Sequence, residues 1–272
     1  PELLRLFDGS GIKVMMAFSG IVEAVDRAQT SRPRERYRHW LGSLEPRADD
    51  AGYQTARWLI EAGRRAGLKA ADGRLHLLVI SGDRSTTSSI QRGEGMRRAV
   101  SEAGDVSIVQ EVFAAWKREK AEEQAEWLFA RHPQARLVWA GNDLMAFGAM
   151  QAWEKRGGKP GRDALFSGIN TSHEALEGVR SGRLTALSGG HFIAGAWALV
   201  MLYDYHHGRD FADDEGLELE QPMFVAFDSR LAERFERRFG ELDFSGIDFA
   251  RYSKVKNPRL KRYDFRFRQL LD

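Results

Sequence analysis

Short β-type runs alternate with amphipathic helical stretches along most of this chain, and that alternation predicts parallel sheets covered by helices. Residues 12–18 read as a strand, and 49–67 as a helix with Tyr53, Ala56 and Ile60 on one face. The near-continuous apolar run 75–81 has the character of a strand buried on both faces. A Ser/Thr-rich turn leads into a helix carrying Ile90, Met96 and Val100. The cycle repeats with strands at 106–112, 137–140, 164–167 and 184–188, separated by helices at 119–131 and 144–156. Gly157 and Gly158 stop the second of these helices. Thr171 and Glu174 are spaced as a capping box that opens a short helix ending by Gly182. An apolar helix over 192–205, a strand over 223–227 and a helix with Leu231, Phe235 and Phe239 on one face follow. The last thirty or so residues lack periodicity and mix Lys and Arg with aromatics, which predicts a docked tail.

At 272 residues, 43% hydrophobic and 29% charged, the chain can bury a sizeable globular core. A formal net charge of +2 selects no partner by bulk charge. The absence of cysteine excludes disulfides and thiolate metal sites. The longest apolar run, 192–203, is too short to cross a bilayer. The first residues carry no charged n-region followed by an apolar h-region, which leaves localisation open at this point.

Ligands of open parallel sheets bind at the carboxyl ends of the strands. Those ends carry polar or aromatic groups here: Phe18-Ser19, Gly82-Asp83-Arg84, Asn142-Asp143, Asn170-Thr171 and Gly190-His191. Asn, Asp and Arg supply the directional donors and acceptors that a hydroxyl-rich ligand needs, and Trp116 is placed to stack on a ring. Asn-Asp after a strand is equally an ordinary turn and N-cap. The segment 81–87 would suit a phosphate at a helix N-terminus, or plain capping by Ser and Thr. No HExxH, GxSxG or Walker-type loop occurs, and the seven histidines are scattered, so neither catalysis, a cofactor nor a metal is expected. His206-His207 ends an apolar helix, where the helix dipole accounts for the pair. Two basic stretches, 32–38 and 254–268, interleave with aromatics; balanced charge elsewhere reads them as solvated loops and packed tail, with no nucleic-acid partner.

The run Gln91-Arg92-Gly93-Glu94-Gly95-Met96, followed by Gly141-Asn142-Asp143-Leu144-Met145-Ala146-Phe147-Gly148-Ala149, resembles the type I periplasmic binding proteins. This is the ribose- and galactose-binding family of ABC importers, shared with lactose-repressor-type effector domains. Phe166-Ser167-Gly168-Ile169-Asn170 and Ser181-Gly182-Arg183-Leu184-Thr185-Ala186 fit the same pattern, which covers about residues 2–235. The resemblance implies an α/β fold of two Rossmann-like lobes with parallel sheets and three hinge crossings. Lobe one is expected over 1–73 with 190–222, and lobe two with the tail over 74–189 with 223–272. The first lobe is expected to lack its N-terminal strands and to hold one leading strand, as in a truncated chain or one completed by another. The resemblance further implies that Arg92 and Asn142 hydrogen-bond sugar hydroxyls and that Trp116 stacks on the ring. Asn170 stands where many sugar binders carry aspartate, and Phe18-Ser19 where ribose-type binders place Asp-Arg. With His191, these residues form the expected ligand-binding set, and the substitutions point to a larger or differently substituted sugar or a furanosyl signal. The implied role is capture of a sugar-like solute in the periplasm by a monomer, for delivery to an ABC permease or a membrane sensor. The alternative is the effector-binding domain of a transcription regulator or a quorum-signal receptor.

Overall fold

The computed structural model describes residues 1–21, 24–240 and 243–271. In chain order the elements are α1 (Glu2–Gly9), β1 (Val14–Ala17), α2 (Ala24–Thr30), β2 (Trp40–Pro46), α3 (Ala48–Arg65), β3 (Leu75–Ser81) and α4 (Thr87–Ala103). Next come β4 (Val106–Phe113), α5 (Arg118–Arg131), β5 (Leu137–Ala140), α6 (Asp143–Lys155), β6 (Leu165–Ile169), α7 (His173–Arg180) and β7 (Ala186–Gly189). The chain closes with α8 (Ala194–His206), β8 (Glu218–Gln221), β9 (Val225–Ala226) and α9 (Ser229–Phe239), followed by the aromatic tail.

Two sheets result. A three-stranded parallel sheet has the order β1-β2-β8, and a six-stranded sheet has the order β4-β3-β5-β6-β7-β9. Every neighbouring pair in the larger sheet is parallel except β7 with β9, where Ser188 faces Ala226 and Gly189 faces Val225. The inner strands β3, β5 and β6 are buried on both faces, as their apolar runs require, whereas the edge strand β4 is only half-buried.

The chain crosses between the sheets three times: between Pro46 and Ala48, between Gly189 and Ala194, and between Gln221 and Val225. The Arg47 N–H donates to the Gln221 carbonyl at 3.0 Å, tying the first crossing to the third. At the second, Gly190 has φ 108°, and a Cβ there would sit 2.6 Å from the Phe267 ring. Only glycine fits that approach.

The first lobe differs from expectation in two respects. It holds three strands rather than one, because 40–46 pairs with β1 on one side and with 218–221 on the other to make a small sheet. The helix α3, expected in lobe one, packs on the six-stranded sheet instead. Its Ala56, Leu59 and Ile60 share a core with Leu75, Leu77, Val79 and Trp139, and the Trp139 indole donates to the Thr55 hydroxyl at 2.9 Å. The lobe boundary therefore falls at the first crossing, near residue 47, and not at 73.

The tail also departs from its assignment to lobe two, since it spans both lobes. Phe265 stacks on Trp197 of α8 at 5.0 Å, and Phe267 packs near Phe235 of α9 at 6.0 Å. Lys254, in the second basic stretch, is buried between Asp214 and Glu215, at 2.8 Å from each. In the first stretch, Arg34 forms a forked pair with Asp210. Each stretch is thus anchored by one such pairing, while Arg259, Lys261, Arg262 and Arg268 of the second remain exposed. The short helix α7 is capped one residue later than the expected box: Ser172 accepts from the Ala175 N–H, while Glu174 pairs with Arg118 at 2.9 Å.

Helices α3 and α4 touch backbone to backbone. A Cβ on Gly52 would lie 1.9 Å from the Arg92 carbonyl oxygen, and one on Gly95 would lie 1.9 Å from that of Asp49. An unobstructed Gly-to-Ala change inside a helix gains about 1 kcal/mol. Here overpacking should outweigh it, so Gly95→Ala is expected to cost ~1–3 kcal/mol in urea denaturation. A stabilised variant would show that the helices separate freely.

Candidate functional site

The carboxyl ends of β1, β3, β4, β5, β6 and β7 face the junction of the two lobes. Arg92, one turn and a half into α4, is held there by the glycine-mediated approach of α3. It is only 4% exposed, and its guanidinium donates to the Gly141 carbonyl at 2.7 Å. A second terminal nitrogen lies 3.3 Å from Nε2 of His191, which follows β7 and is 5% exposed. The Trp116 and Phe224 rings flank the guanidinium at 5.6 and 5.8 Å. Burial lowers the Arg92 pKa to about 10, with the Asp143 carboxylate acting in the opposite sense. The group remains charged at neutral pH.

His191 is pushed well below the usual histidine range, first by burial and then by the Arg92 charge. Its imidazole is therefore neutral, and because Nε2 faces an arginine donor, that nitrogen accepts and Nδ1 carries the proton. The ring stacks on Phe224 at 4.4 Å and meets Phe18 at 5.2 Å. Among the described residues, neither Nδ1 of His191 nor Nε of Arg92 has a hydrogen-bond partner, although both atoms are buried. Two N–H donors thus lie in this junction without acceptors, an arrangement that costs roughly 1–3 kcal/mol per group unless something fills it.

Around this pair the other strand ends are fixed by hydrogen bonds. Trp116 donates its indole N–H to Asp83 at 2.6 Å, and a Cβ on Gly82 would lie 2.2 Å from that ring. Asp83 also accepts from the Ser85 and Thr86 N–H groups at 2.8 and 2.7 Å. Burial raises the Asp83 pKa, but these hydrogen bonds outweigh it and bring it to about 2. The 81–87 turn is thereby filled by its own carboxylate, which leaves those amides no phosphate to cradle. Asn142 caps α6 by accepting from Met145 N–H at 2.8 Å, and its amide donates to the Trp116 carbonyl at 3.3 Å. Asn170 donates to Asp143 at 2.8 Å. Phe18, Trp116 and Asn170 all have positive φ, at 79°, 66° and 132°. Such strain, about 1–3 kcal/mol per residue, concentrates where side chains must be aimed.

Phe18, Arg92, Trp116, Asn142, Asn170 and His191 therefore meet in one neighbourhood. Ser19 is exposed beside them. Phe224 was not foreseen. It precedes β9, and because that strand runs antiparallel, its amino end reaches the face where the others end. Among the described residues no group of three or more His, Asp or Glu side chains is placed to hold a metal ion, and no helix is long and apolar enough to cross a membrane.

A family model described as the periplasmic binding protein domain matches residues 43–210, more than half of the chain. The chain belongs to this family. The periplasmic sugar-binding protein from Pseudomonas fluorescens is 36% identical, with a TM-score of 0.86 over 100% of this chain and 78% of that one. The xylitol-binding protein of Mycolicibacterium smegmatis is 28% identical over 142 residues, which are 52% of this chain and 38% of the relative. The ribose import binding protein of Salmonella typhimurium is 29% identical over 125 residues, 46% of this chain and 40% of the relative. The alignments span about two fifths of these curated relatives' length. Two lobes, three crossings and a site at the strand ends are the architecture of a type I periplasmic binding domain.

Proposed function

We propose that this periplasmic binding domain captures one small, polyhydroxylated, sugar-like solute between its lobes and releases it unchanged. The observation that carries the reading is the pair of buried, partnerless donors, Arg92 Nε–H and His191 Nδ1–H, between the rings of Phe18, Trp116 and Phe224. Sugars present hydroxyl acceptors at their edges and apolar C–H faces between them, and donors flanked by aromatic rings match both. Asn142 and Asn170 are already engaged as cap and as Asp143 partner, so we assign them to the rim, with their remaining amide valences turned to hydroxyls. The relatives named for xylitol, ribose and sugar support the ligand class. We further propose a periplasmic location and delivery to an ABC permease or a membrane sensor, through hinge closure about the three crossings.

A thermal-shift and calorimetric screen of pentoses, hexoses, sugar alcohols and furanosyl compounds tests the reading. A ligand at 100 times its Kd adds about 2.7 kcal/mol to folding stability. For the ligand found, Trp116→Ala should weaken binding by about 1–2 kcal/mol. A folded protein that responds to none of these compounds would overturn the assignment to sugars, and an unchanged affinity in Trp116→Ala would remove that ring from the site.

A further inference from the structure

A second pocket lies away from the strand ends, between α3, the third crossing, α9 and the tail, with a volume of about 810 Å³. That is within the range of small-molecule sites. Its walls are apolar and aromatic: Trp58 of α3, Phe224 of the crossing and Phe267 of the tail. Its rim is basic for a reason visible in the sequence. Helix α9 buries Ala232, Phe235 and Phe239, so Arg230, Arg234 and Arg237, at i, i+4 and i+7, share the opposite side. The tail buries Phe267 and thereby turns Arg266 and Arg268 outward into the same rim.

Arg266 is neutralised by Asp264, and Asp228 is committed to capping α9. Glu233 is the other acid of the lining. Arg230, Arg237 and Arg268 make no ion pair among the described residues. Like charges held this close repel, and a protein gains nothing for its fold by converging them. Guanidinium forks match the oxygens of phosphate in two-point hydrogen bonds. We propose that this pocket binds a phosphate group carried on a flat or apolar body, with phosphate at the arginine rim and body against Trp58 and Phe224. Phe224 also stacks on His191, so the pocket adjoins the solute site without sharing its donors.

Calorimetry with phenyl phosphate, pyrophosphate and benzyl alcohol tests this, at low salt and at about 0.15 M salt, where charges are screened beyond roughly 8 Å. Phenyl phosphate is expected to bind more tightly than pyrophosphate, both more weakly at higher salt, and benzyl alcohol not measurably. The double variant Arg237→Ala, Arg268→Ala changes only exposed side chains and should weaken phenyl phosphate binding roughly tenfold or more. Lys120→Ala, on distant α5, and Arg92→Met should leave it unchanged. Vesicles of phosphatidylglycerol, with phosphatidylcholine as reference, separate the sources. Pelleting that is lost in the double variant assigns the phosphate to a lipid headgroup, and soluble binding alone assigns it to a free organic phosphate. No binding in either arm, or binding indifferent to the double variant or lost in Arg92→Met, overturns the proposal.

Discussion

Arg92→Met is expected to weaken solute binding by about 1.5–3 kcal/mol, roughly 10- to 150-fold, while leaving the unfolding midpoint unchanged or higher. The two effects have separate causes. Binding loses a charge-assisted donor that is 4% exposed and lies between the Trp116 and Phe224 rings. Stability loses two hydrogen bonds, to the Gly141 carbonyl and to His191 Nε2, but is relieved of a buried cation whose pKa burial has lowered to about 10. Replacing a buried ionic group by an apolar one of similar volume is often neutral or stabilising. Methionine keeps the volume between Trp116 and Phe224. Calorimetric titration and a urea midpoint, taken on the same preparation, check both halves. Undiminished affinity would remove Arg92 from the site, and a fall of several kcal/mol in stability would make its role structural.

Asp204→Ala should cost about 3–5 kcal/mol of folding stability. Asp204 is fully buried on α8 and gathers the tail. It accepts from the Lys254 N–H at 2.7 Å, the Val255 N–H at 3.3 Å, the Tyr263 hydroxyl at 2.8 Å and the Ser253 hydroxyl. Alanine would leave these donors buried without an acceptor, and each such group costs about 1–3 kcal/mol. Burial, and then the bond to Asp204, hold the Tyr263 phenol far above the usual tyrosine range, so it stays a donor throughout the working pH range. Hydrogen exchange should rise over 252–271 in the variant, and Asp204→Asn, which keeps one acceptor, should recover part of the loss. A change below about 1 kcal/mol would mean that aromatic packing on Trp197 alone holds the tail.

The larger sheet was legible because its inner strands are apolar runs bounded by breakers; β3 and β5 fall at the residues the pattern marks. The smaller sheet was not. Trp40–Pro46 contains Gly42, Ser43 and a terminal proline, so it shows neither alternation nor an apolar run, although it is the buried centre of its sheet. Glu218–Gln221 has one apolar residue, Leu219, and owes its strand conformation to pairing with a distant segment. Local propensity carries no trace of that partner. Most residues of the candidate site were legible as neighbours because strand ends in a parallel sheet fall on one side. Phe224 escaped because the rule assumes parallel strands, and β9 is reversed. The α3 assignment failed because an amphipathic pattern gives the buried face of a helix and not the sheet it will cover.

The three crossings also impose an order of assembly. The six-stranded sheet takes β3 to β7 and their helices from one unbroken stretch, so its closures are short and its core can form early. The small sheet cannot. Its central strand must wait for β8, which emerges only after β3 to β7 of the larger sheet have been made. Until then Trp40, Leu41 and Leu44 lack part of their cover, and the nascent chain presents an open strand edge on β2. A holdase that recognises this chain would find its target in that edge, during the interval between completion of β7 and arrival of β8.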